Sequence, residues 1–324
     1  MQNLDGLLFF PVTPFSRSGD VALDILRQHL ETGLAAGPGG LFVACGTGEF
    51  HSLSLAEYEP IVRTAVEVSG GEVPVFSGVG GAIATAIEMA RVAERAGADG
   101  LLILPPYLVT PTPAGLVEYA RRIAEATTLP LIVYNRDNAI FDRQAAVDVA
   151  ALPTVMGFKD GQGDVGLLGR IVPAVAHSLA GTGKTFQFFN GLPTAEVSAL
   201  AYRGLGITLY SSAIWCFAPQ ISKAFHRAVS AGDQAAVDSL ITGFFNPFVD
   251  LRNQIRGGAI SLVKAAVCLG GLDVGGVRPP LADPTPQQRE QLAEIVATGL
   301  RLAAATQAQP TSQLPGSSRS RTFI

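Results

Sequence analysis

The chain has 324 residues, 48% of them hydrophobic and only 15% charged, and its formal net charge is −4. This composition suits a large packed core, favours a homo-oligomer that buries further surface, and offers no basic cluster for a nucleic-acid partner. No apolar run reaches the roughly 20 residues needed to span a bilayer, so no membrane partner is expected.

Short apolar runs alternate with helical patterns along the first two thirds of the chain, which is the rhythm of βαβ units. The predicted strands are residues 6–10, 40–44, 74–77, 100–104, 130–134, 155–159, 186–190 and 207–210. The predicted helices between them are residues 20–36, 54–69, 82–96, 113–127, 142–151, 166–178 and 194–203, and Ser54 with Glu57 has the pattern of a capping box. Eight parallel strands with covering helices predict an α/β fold, a (β/α)₈ TIM barrel over residues 1–218.

The pattern changes after the eighth predicted strand. Residues 219–306 predict a C-terminal helical region without strands, and two glycine pairs at 270–271 and 275–276 mark a break in it. Residues 307–324 are rich in Ser, Pro, Gln and Arg and are predicted to be a disordered tail.

Lys159 ends the sixth predicted strand and is one of only four lysines in the chain. A desolvated lysine loses its proton and becomes an amine nucleophile, which arginine cannot do. In a barrel of this type, chemistry occurs at the C-terminal ends of the strands. Lys184 precedes a strand, and Lys223 and Lys264 lie in the helical region, so Lys159 is the candidate Schiff-base lysine. The alternative is an ordinary strand-end lysine paired with Asp160.

Tyr134 ends the neighbouring fifth strand. Side chains alternate along a strand, so the tips of Tyr134 and Lys159 are expected to point into the same barrel mouth. A phenol beside an amine can move protons during imine formation, which makes Tyr134 a candidate acid/base group. The alternative is a tyrosine that caps the core with its hydroxyl in water.

Gly46, Thr47 and Gly48 follow the second strand and form what we call the GTG loop. Glycines let backbone N–H groups approach a ligand, and the threonine adds a hydroxyl, so the loop suits a carboxylate. A tight βα turn without a ligand would also use these residues.

Other motifs do not support a cofactor site. Residues 181–185 imitate the end of a phosphate-binding P-loop, but a helix precedes them and a strand follows, which is the reverse of the required order. The four histidines have no metal-ligand spacing with carboxylates or thiols. We therefore expect neither a metal nor an organic cofactor.

The three cysteines, Cys45, Cys216 and Cys268, are far apart and form no CxxC pair. We interpret them as free thiols of a reducing compartment. The N-terminus lacks a basic segment followed by an apolar one, so no signal peptide is predicted and a cytoplasmic location is expected.

Taken in order, these segments resemble the dihydrodipicolinate synthase and N-acetylneuraminate lyase superfamily of barrels over residues 10–281. The resemblance rests on four strand-end motifs in register, at residues 46–49, 104–107, 133–135 and 157–160. It implies that Lys159 forms the imine, that Tyr134 is its acid/base partner and that the GTG loop binds the carboxylate of a 2-oxo acid. It also implies a tetramer built from dimers.

Departures from the synthase pattern narrow the choice within the superfamily. Gly46 stands where the synthase has a threonine of its proton relay, and Leu108 stands where it has a second tyrosine. Strings at residues 9–15, 134–138, 158–164, 211–215 and 277–281 resemble instead a subgroup of sugar-diacid dehydratases. Cys216 departs from that subgroup, in which a polar residue is expected.

The resemblance therefore implies a decarboxylating dehydration of a small sugar diacid through a lysine imine. Asn190 at the end of strand seven, with Ser211 and Ser212 at strand eight, are candidates to hold its distal carboxylate or hydroxyls. Ordinary hydrogen bonding within the βα loops is the alternative for all three. Two other functions stay open: a retro-aldolase that releases pyruvate, and a catalytically silent sugar-acid-binding homologue.

Overall fold

Eight parallel strands close into a barrel in the order in which they occur along the chain. The computed structural model describes residues 3–308. The strands are β1 (Leu7–Phe9), β2 (Gly40–Val43), β3 (Val75–Val79), β4 (Gly100–Ile103), β5 (Leu131–Asn135), β6 (Val155–Asp160), β7 (Gln187–Asn190) and β8 (Leu209–Ser212). The ring closes where β8 pairs with β1, with Leu8 opposite Ser211. The predicted (β/α)₈ TIM barrel is confirmed, although some strand ends differ: the segment predicted at 207–210 is observed at Leu209–Ser212.

Each strand is followed by helical structure that covers the outside of the barrel. The helices are α1 (Leu23–Ala35), α2 (Leu55–Ser69), α3 (Ile83–Arg95), α4 (Pro113–Ala124), α5 (Arg143–Ala151), α6 (Val165–Leu179), α7 (Ala199–Gly204) and α8 (Pro219–Ala231), with a 3₁₀ turn at Ala195–Ser198 before α7. The predicted capping box at the start of α2 is present, since the Ser54 side chain accepts from Glu57 N–H and the Glu57 carboxylate accepts from Ser54 N–H.

Alternation along the strands separates two apolar clusters. Inward-facing side chains fill the barrel, where the rings of Phe10, Phe42 and Phe76 stack with centroids 4.5 and 4.8 Å apart. Outward-facing residues such as Val133 and Phe158 pack instead in the cluster beneath the surrounding helices. Because the period of a strand is two, a polar residue at a strand end reaches the mouth only if it is in phase with the inward set.

The helical extension follows α8 and packs around phenylalanines. It consists of α9 (Gln234–Leu240), a π-helical turn (Ile241–Phe245), α10 (Asn246–Asn253), α11 (Gly258–Leu269) and α12 (Pro286–Ala308). Phe244, Phe245 and Phe248 are buried at its core. The predicted C-terminal helical extension is confirmed, although residues 270–285 between α11 and α12 are not helical. Helix α8 contacts both β1 and the extension, so these contacts do not separate two domains at residue 218. The predicted domain boundary there stays a prediction.

The last helix extends beyond its predicted end. Helix α12 continues to Ala308, so residues 307 and 308 of the predicted tail are helical, and the remainder of that tail lies outside the described residues.

Between α11 and α12, the chain returns to the barrel, where Phe15 N–H donates to Val274 O at 3.0 Å. Within residues 3–308, no helix has the length and apolar character to cross a membrane.

Candidate active site

Lys159 and Tyr134 lie side by side in the barrel mouth. Adjacent strands place them as direct neighbours in the parallel ladder. Lys159 Nζ is 4.4 Å from the centroid of the Tyr134 ring and 3.9 Å from that of Phe10. The lysine is only 6% exposed. The structure therefore brings together the two predicted catalytic side chains over an aromatic floor.

Burial, rather than a charged neighbour, controls the protonation of Lys159. Desolvation, with a smaller contribution from the Arg136 cation, lowers the pKa of the amine from 10.5 to about 7. Among the described residues, the opposing charge would come from Cys45, but burial raises the pKa of that thiol to about 12, so it is neutral at neutral pH. Within residues 3–308, Lys159 forms no ion pair. A large fraction of the amine is consequently uncharged near pH 7.

The adjacent carboxylate of Asp160 faces the other side of the strand. Its Oδ1 accepts from Asn135 Nδ2 at 2.6 Å, and its Oδ2 accepts from Gly163 N–H at 3.0 Å and from the Tyr202 hydroxyl. Asn135 Oδ1 in turn accepts from Phe141 N–H at 2.9 Å. Asp160 thus joins the ends of β5 and β6 instead of neutralising Lys159, which argues against the simple ion-pair alternative.

The phenol of Tyr134 is held in one orientation by two hydrogen bonds. It donates to Gly191 O at 2.6 Å and accepts from Arg136 Nη1 at 3.0 Å. Burial raises the pKa of Tyr134, and the Arg136 guanidinium partly opposes this effect. The hydroxyl is therefore protonated at neutral pH. It is hydrogen-bonded to the Arg136 cation, and its ring contacts the buried amine, which suits an acid/base group.

Arg136 is a functional candidate that the sequence reasoning did not single out. Its side chain is 35% exposed at the mouth and is 3.1 Å from Asp137 Oδ2. The available signal was its spacing: it lies two residues after Tyr134, in phase with the inward-facing set. It places a guanidinium donor at the mouth for an anionic substrate, beside the Asp137 carboxylate.

The GTG loop presents unpaired donors at the end of β2. Gly46 is exposed, Thr47 is half-buried and Gly48 is buried. Among the hydrogen bonds of residues 3–308, none uses the N–H groups of these three residues or the Thr47 hydroxyl. The loop is fixed from below by Thr13, whose hydroxyl donates to Gly48 O at 2.7 Å. Consecutive free N–H groups of this kind suit a carboxylate.

The three candidates for binding the distal part of a substrate separate by phase. Ser211 is in phase with the inward-facing Leu209 and is half-buried at the mouth. Ser212 is fully buried on the outer face, where its hydroxyl donates to Glu196 Oε1 at 2.5 Å. Asn190 Nδ2 donates to Ala195 O at 3.0 Å and to a neighbouring serine in its own loop.

The geometry divides the predicted substrate-binding residues at β7 and β8 into two groups, and their roles stay predictions. Ser211 keeps its candidate role, since its hydroxyl faces the mouth. For Asn190 and Ser212, the alternative of hydrogen bonding within the βα loops fits the geometry better, because their polar atoms are occupied outside the barrel interior. Both residues are one position out of phase with the inward-facing set.

The fold and this mouth define a (β/α)₈-barrel enzyme whose buried lysine is suited to imine chemistry. The chain belongs to the dihydrodipicolinate synthetase family, whose model matches residues 3–298. Among solved structures, it is similar to dihydrodipicolinate synthase from Bacillus clausii, with 28% identity and a TM-score of 0.81 over 91% of this chain and 97% of the other. The synthase from Oceanobacillus iheyensis has 27% identity and a TM-score of 0.82, covering 91% and 96%.

Curated relatives share considerably more sequence. A protein of Streptomyces avermitilis named probable 5-dehydro-4-deoxyglucarate dehydratase 1 is 53% identical over 92% of this chain and 94% of its own length. Proteins named probable 5-dehydro-4-deoxyglucarate dehydratase from Streptomyces griseus and Azotobacter vinelandii are 51% and 42% identical, covering 94% and 90% of this chain and 94% of each relative. The higher identity to dehydratases than to synthases agrees with the departures at Gly46 and Leu108.

We predict that imine formation depends on an ionisation near pH 7. Only the neutral amine attacks a carbonyl, so its rate should rise about tenfold per pH unit at low pH and level off above about 7, where the pKa of Lys159 lies. The measurement is the initial rate of adduct formation with pyruvate and cyanoborohydride, followed by intact mass. A rising limb centred near 10.5, the ordinary value for lysine, would contradict the proposed effect of burial.

We predict that Gly191→Ala impairs turnover without unfolding the protein. The added Cβ would lie 2.6 Å from Lys159 Cε and Cγ and 2.9 Å from Tyr134 Cε2, so both reactive groups must shift. A misplacement of this size should lower kcat by roughly tenfold or more. The matched control is Gly204→Ala, whose Cβ meets nothing within 4 Å. Equal kcat values for the two variants, with unchanged circular dichroism, would show that this packing does not position the groups.

Proposed function

We propose that the protein catalyses the decarboxylating dehydration of 5-dehydro-4-deoxy-D-glucarate to 2,5-dioxopentanoate, CO₂ and water through a Schiff base on Lys159. The observation that carries the proposal is a buried amine with a pKa of about 7, in contact with the ring of an oriented tyrosine. The names of the relatives at 42–53% identity support the choice of substrate.

The reaction begins with attack of the neutral Lys159 amine on the C5 ketone. The GTG loop donates hydrogen bonds to the adjacent C6 carboxylate, which orients the ketone toward the amine. Loss of water gives an iminium ion, which withdraws electrons and makes the C4 proton acidic. In this proposal, Tyr134, whose ring contacts the amine, donates its phenol proton to the hydroxyl that leaves as the iminium forms. As a phenolate beside the Arg136 cation, it then accepts the C4 proton.

The remaining bonds break in an order set by the imine. Removal of the C4 proton gives an enamine, which expels the C3 hydroxyl as water and restores a conjugated iminium. That iminium accepts the electron pair of the C1–C2 bond as C1 leaves as CO₂. Tautomerisation of the resulting enol at C2 forms the aldehyde, and hydrolysis releases Lys159. One amine therefore serves both eliminations, and the balance requires no oxidant or reductant.

Hydrogen-bond donors at the mouth fit a substrate with two carboxylates. Arg136 is the cation beside the reacting groups, and Ser211 adds a neutral hydroxyl on the opposite side of the ring of strands. A hydroxyl donor can orient the substrate without holding the charge of the carboxylate that leaves. These features support a small dianionic substrate over an extended or apolar one.

We predict that Lys159→Ala abolishes turnover with retention of the fold. Loss of the covalent nucleophile should reduce kcat by more than roughly 10³-fold. Lys223→Ala is the matched control, because Lys223 lies on α8 and its Nζ donates to Ala36 O at 3.0 Å, away from the mouth. Borohydride trapping with 5-dehydro-4-deoxyglucarate should give an adduct that peptide mapping assigns to residue 159 in the control and in the unmodified protein only.

Product analysis in the same experiment separates the competing functions. CO₂ and 2,5-dioxopentanoate support the proposed dehydratase. Pyruvate without CO₂ would assign a retro-aldolase that cleaves a 2-oxo-3-deoxy sugar acid. Failure to trap any adduct, with no product formed, would identify a sugar-acid-binding protein and overturn the proposal.

We also propose a homo-oligomer, either a dimer or a tetramer. The support is an exposed apolar segment beside the mouth, where Tyr107, Leu108 and Val109 are 77, 84 and 54% exposed. Asn138 Nδ2 donates to Pro106 O at 2.9 Å and so holds this segment against the body of the barrel. Light scattering coupled to gel filtration measures the mass, and a monomer at micromolar concentration would contradict the proposal.

We also propose a cytoplasmic location. All three cysteines are free thiols, and two of them are buried. Free thiols are typical of a reducing compartment. Cell fractionation with an antibody against the protein tests this location.

A further inference from the structure

A buried ion pair lies directly behind the GTG loop and has no part in the proposed reaction. Glu49, the residue after Gly48, is 0% exposed, and Lys264 of α11 is 1% exposed. Their charged atoms, Oε1 and Nζ, are 2.7 Å apart. Burying two charges is unfavourable unless both are well compensated, so a pair in this position requires an explanation.

The pair is completed by main-chain groups of the segment between α11 and α12. Lys264 Nζ also donates to Gly276 O at 2.7 Å. The second carboxylate oxygen of Glu49 accepts from Arg278 N–H at 2.9 Å, across 229 positions of the chain. The Arg278 guanidinium then donates to Gly19 O at 3.0 Å, in the β1–α1 connection, and to Ser52 O at 2.8 Å, after the GTG loop. The C-terminal extension thus binds the Glu49 carboxylate, at the end of the GTG loop.

The backbone of the loop requires such support. Ala44 and Glu49, which bracket the loop, have φ values of 49° and 57°, in the left-handed region that residues with a Cβ rarely adopt. Conformations of this kind persist only where the surroundings determine them. The bonds of the Glu49 side chain hold it in this region. The same conformation leaves the N–H groups of Thr47 and Gly48 free of protein partners.

We propose that Glu49 is a positioning residue: the extension, through Lys264 and the Arg278 main chain, holds Glu49 so that the GTG loop presents its N–H groups to the substrate carboxylate. The inference rests on the proposed function only for the identity of that carboxylate. Glu49 contacts no reacting atom in this arrangement. Its effect is exerted on binding, because the carboxylate beside the ketone is bound in both the ground state and the transition state.

The kinetic test uses Lys264→Met, Glu49→Gln and the double variant. Each loosens the loop and should raise KM for 5-dehydro-4-deoxyglucarate by about tenfold, with kcat changed by less than about threefold. The matched control is Lys184→Met, which removes a half-buried lysine that donates to Ala150 O at 2.6 Å, far from the mouth. The control should leave KM unchanged.

The double variant separates positioning from simple stability. It replaces the ion pair by neutral side chains of similar volume, so its unfolding temperature should recover relative to the single variants, which each leave a buried charge unpaired. Its KM should stay raised, because the charge that holds the loop is still missing. Recovery of KM together with the unfolding temperature would reduce Glu49 to a structural role and overturn the inference.

Hydrogen exchange tests the mechanical link without any substrate. The amides of Glu49 and Phe50 donate within the loop, to Gly46 O at 3.2 Å and Cys45 O at 3.1 Å. They should exchange at least about tenfold faster in Lys264→Met than in Lys184→Met, whereas amides of β6 should not differ. Unchanged exchange would overturn the inference. Faster exchange in a protein that lacks dehydratase activity would support the link while rejecting the proposed function, so the two failures are distinguishable.

Discussion

The chemistry of this protein depends on one constraint, which is the burial of the Lys159 amine without a counterion. Its contacts are the rings of Phe10 and Tyr134, and burial lowers its pKa to about 7. The nearest carboxylate by sequence, Asp160, is turned outward and occupied by other donors. If Asp160 paired with Lys159, the ammonium form would be stabilised and the nucleophile lost.

The outward-facing Asp160 carboxylate has a structural role at the ends of the strands that carry the site. Asp160 and Asn135 join the ends of β5 and β6, the strands that carry Lys159 and Tyr134. On the inward face, the absence of a side chain at Gly191 leaves room for the Lys159 side chain. The Gly191 carbonyl also accepts a hydrogen bond from the Tyr134 hydroxyl. Adjacent residues on one strand therefore divide the work, with one face reactive and the other supporting.

The helical extension adds a second layer of control at the opposite side of the mouth. Lys264 and Arg278 contact the barrel at Glu49, and Arg278 also contacts Gly19 and Glu57. These contacts from the extension explain how the barrel holds the GTG loop in an unfavourable backbone conformation. The reactive lysine and the GTG loop are thus supported by separate networks, one within the barrel and one from the extension.

The sequence by itself determined the barrel, the helical extension and the placement of Lys159 and Tyr134 at adjoining strand ends, because these follow from local periodicity and from the rarity of lysine. Tertiary structure alone decided which polar residues face the mouth. Ser211 and Ser212 are equivalent in composition, and only the phase of β8 within the closed barrel separates them. The pairing of Glu49 with Lys264 was likewise invisible, because partners so distant in the chain meet only after the extension packs against the barrel.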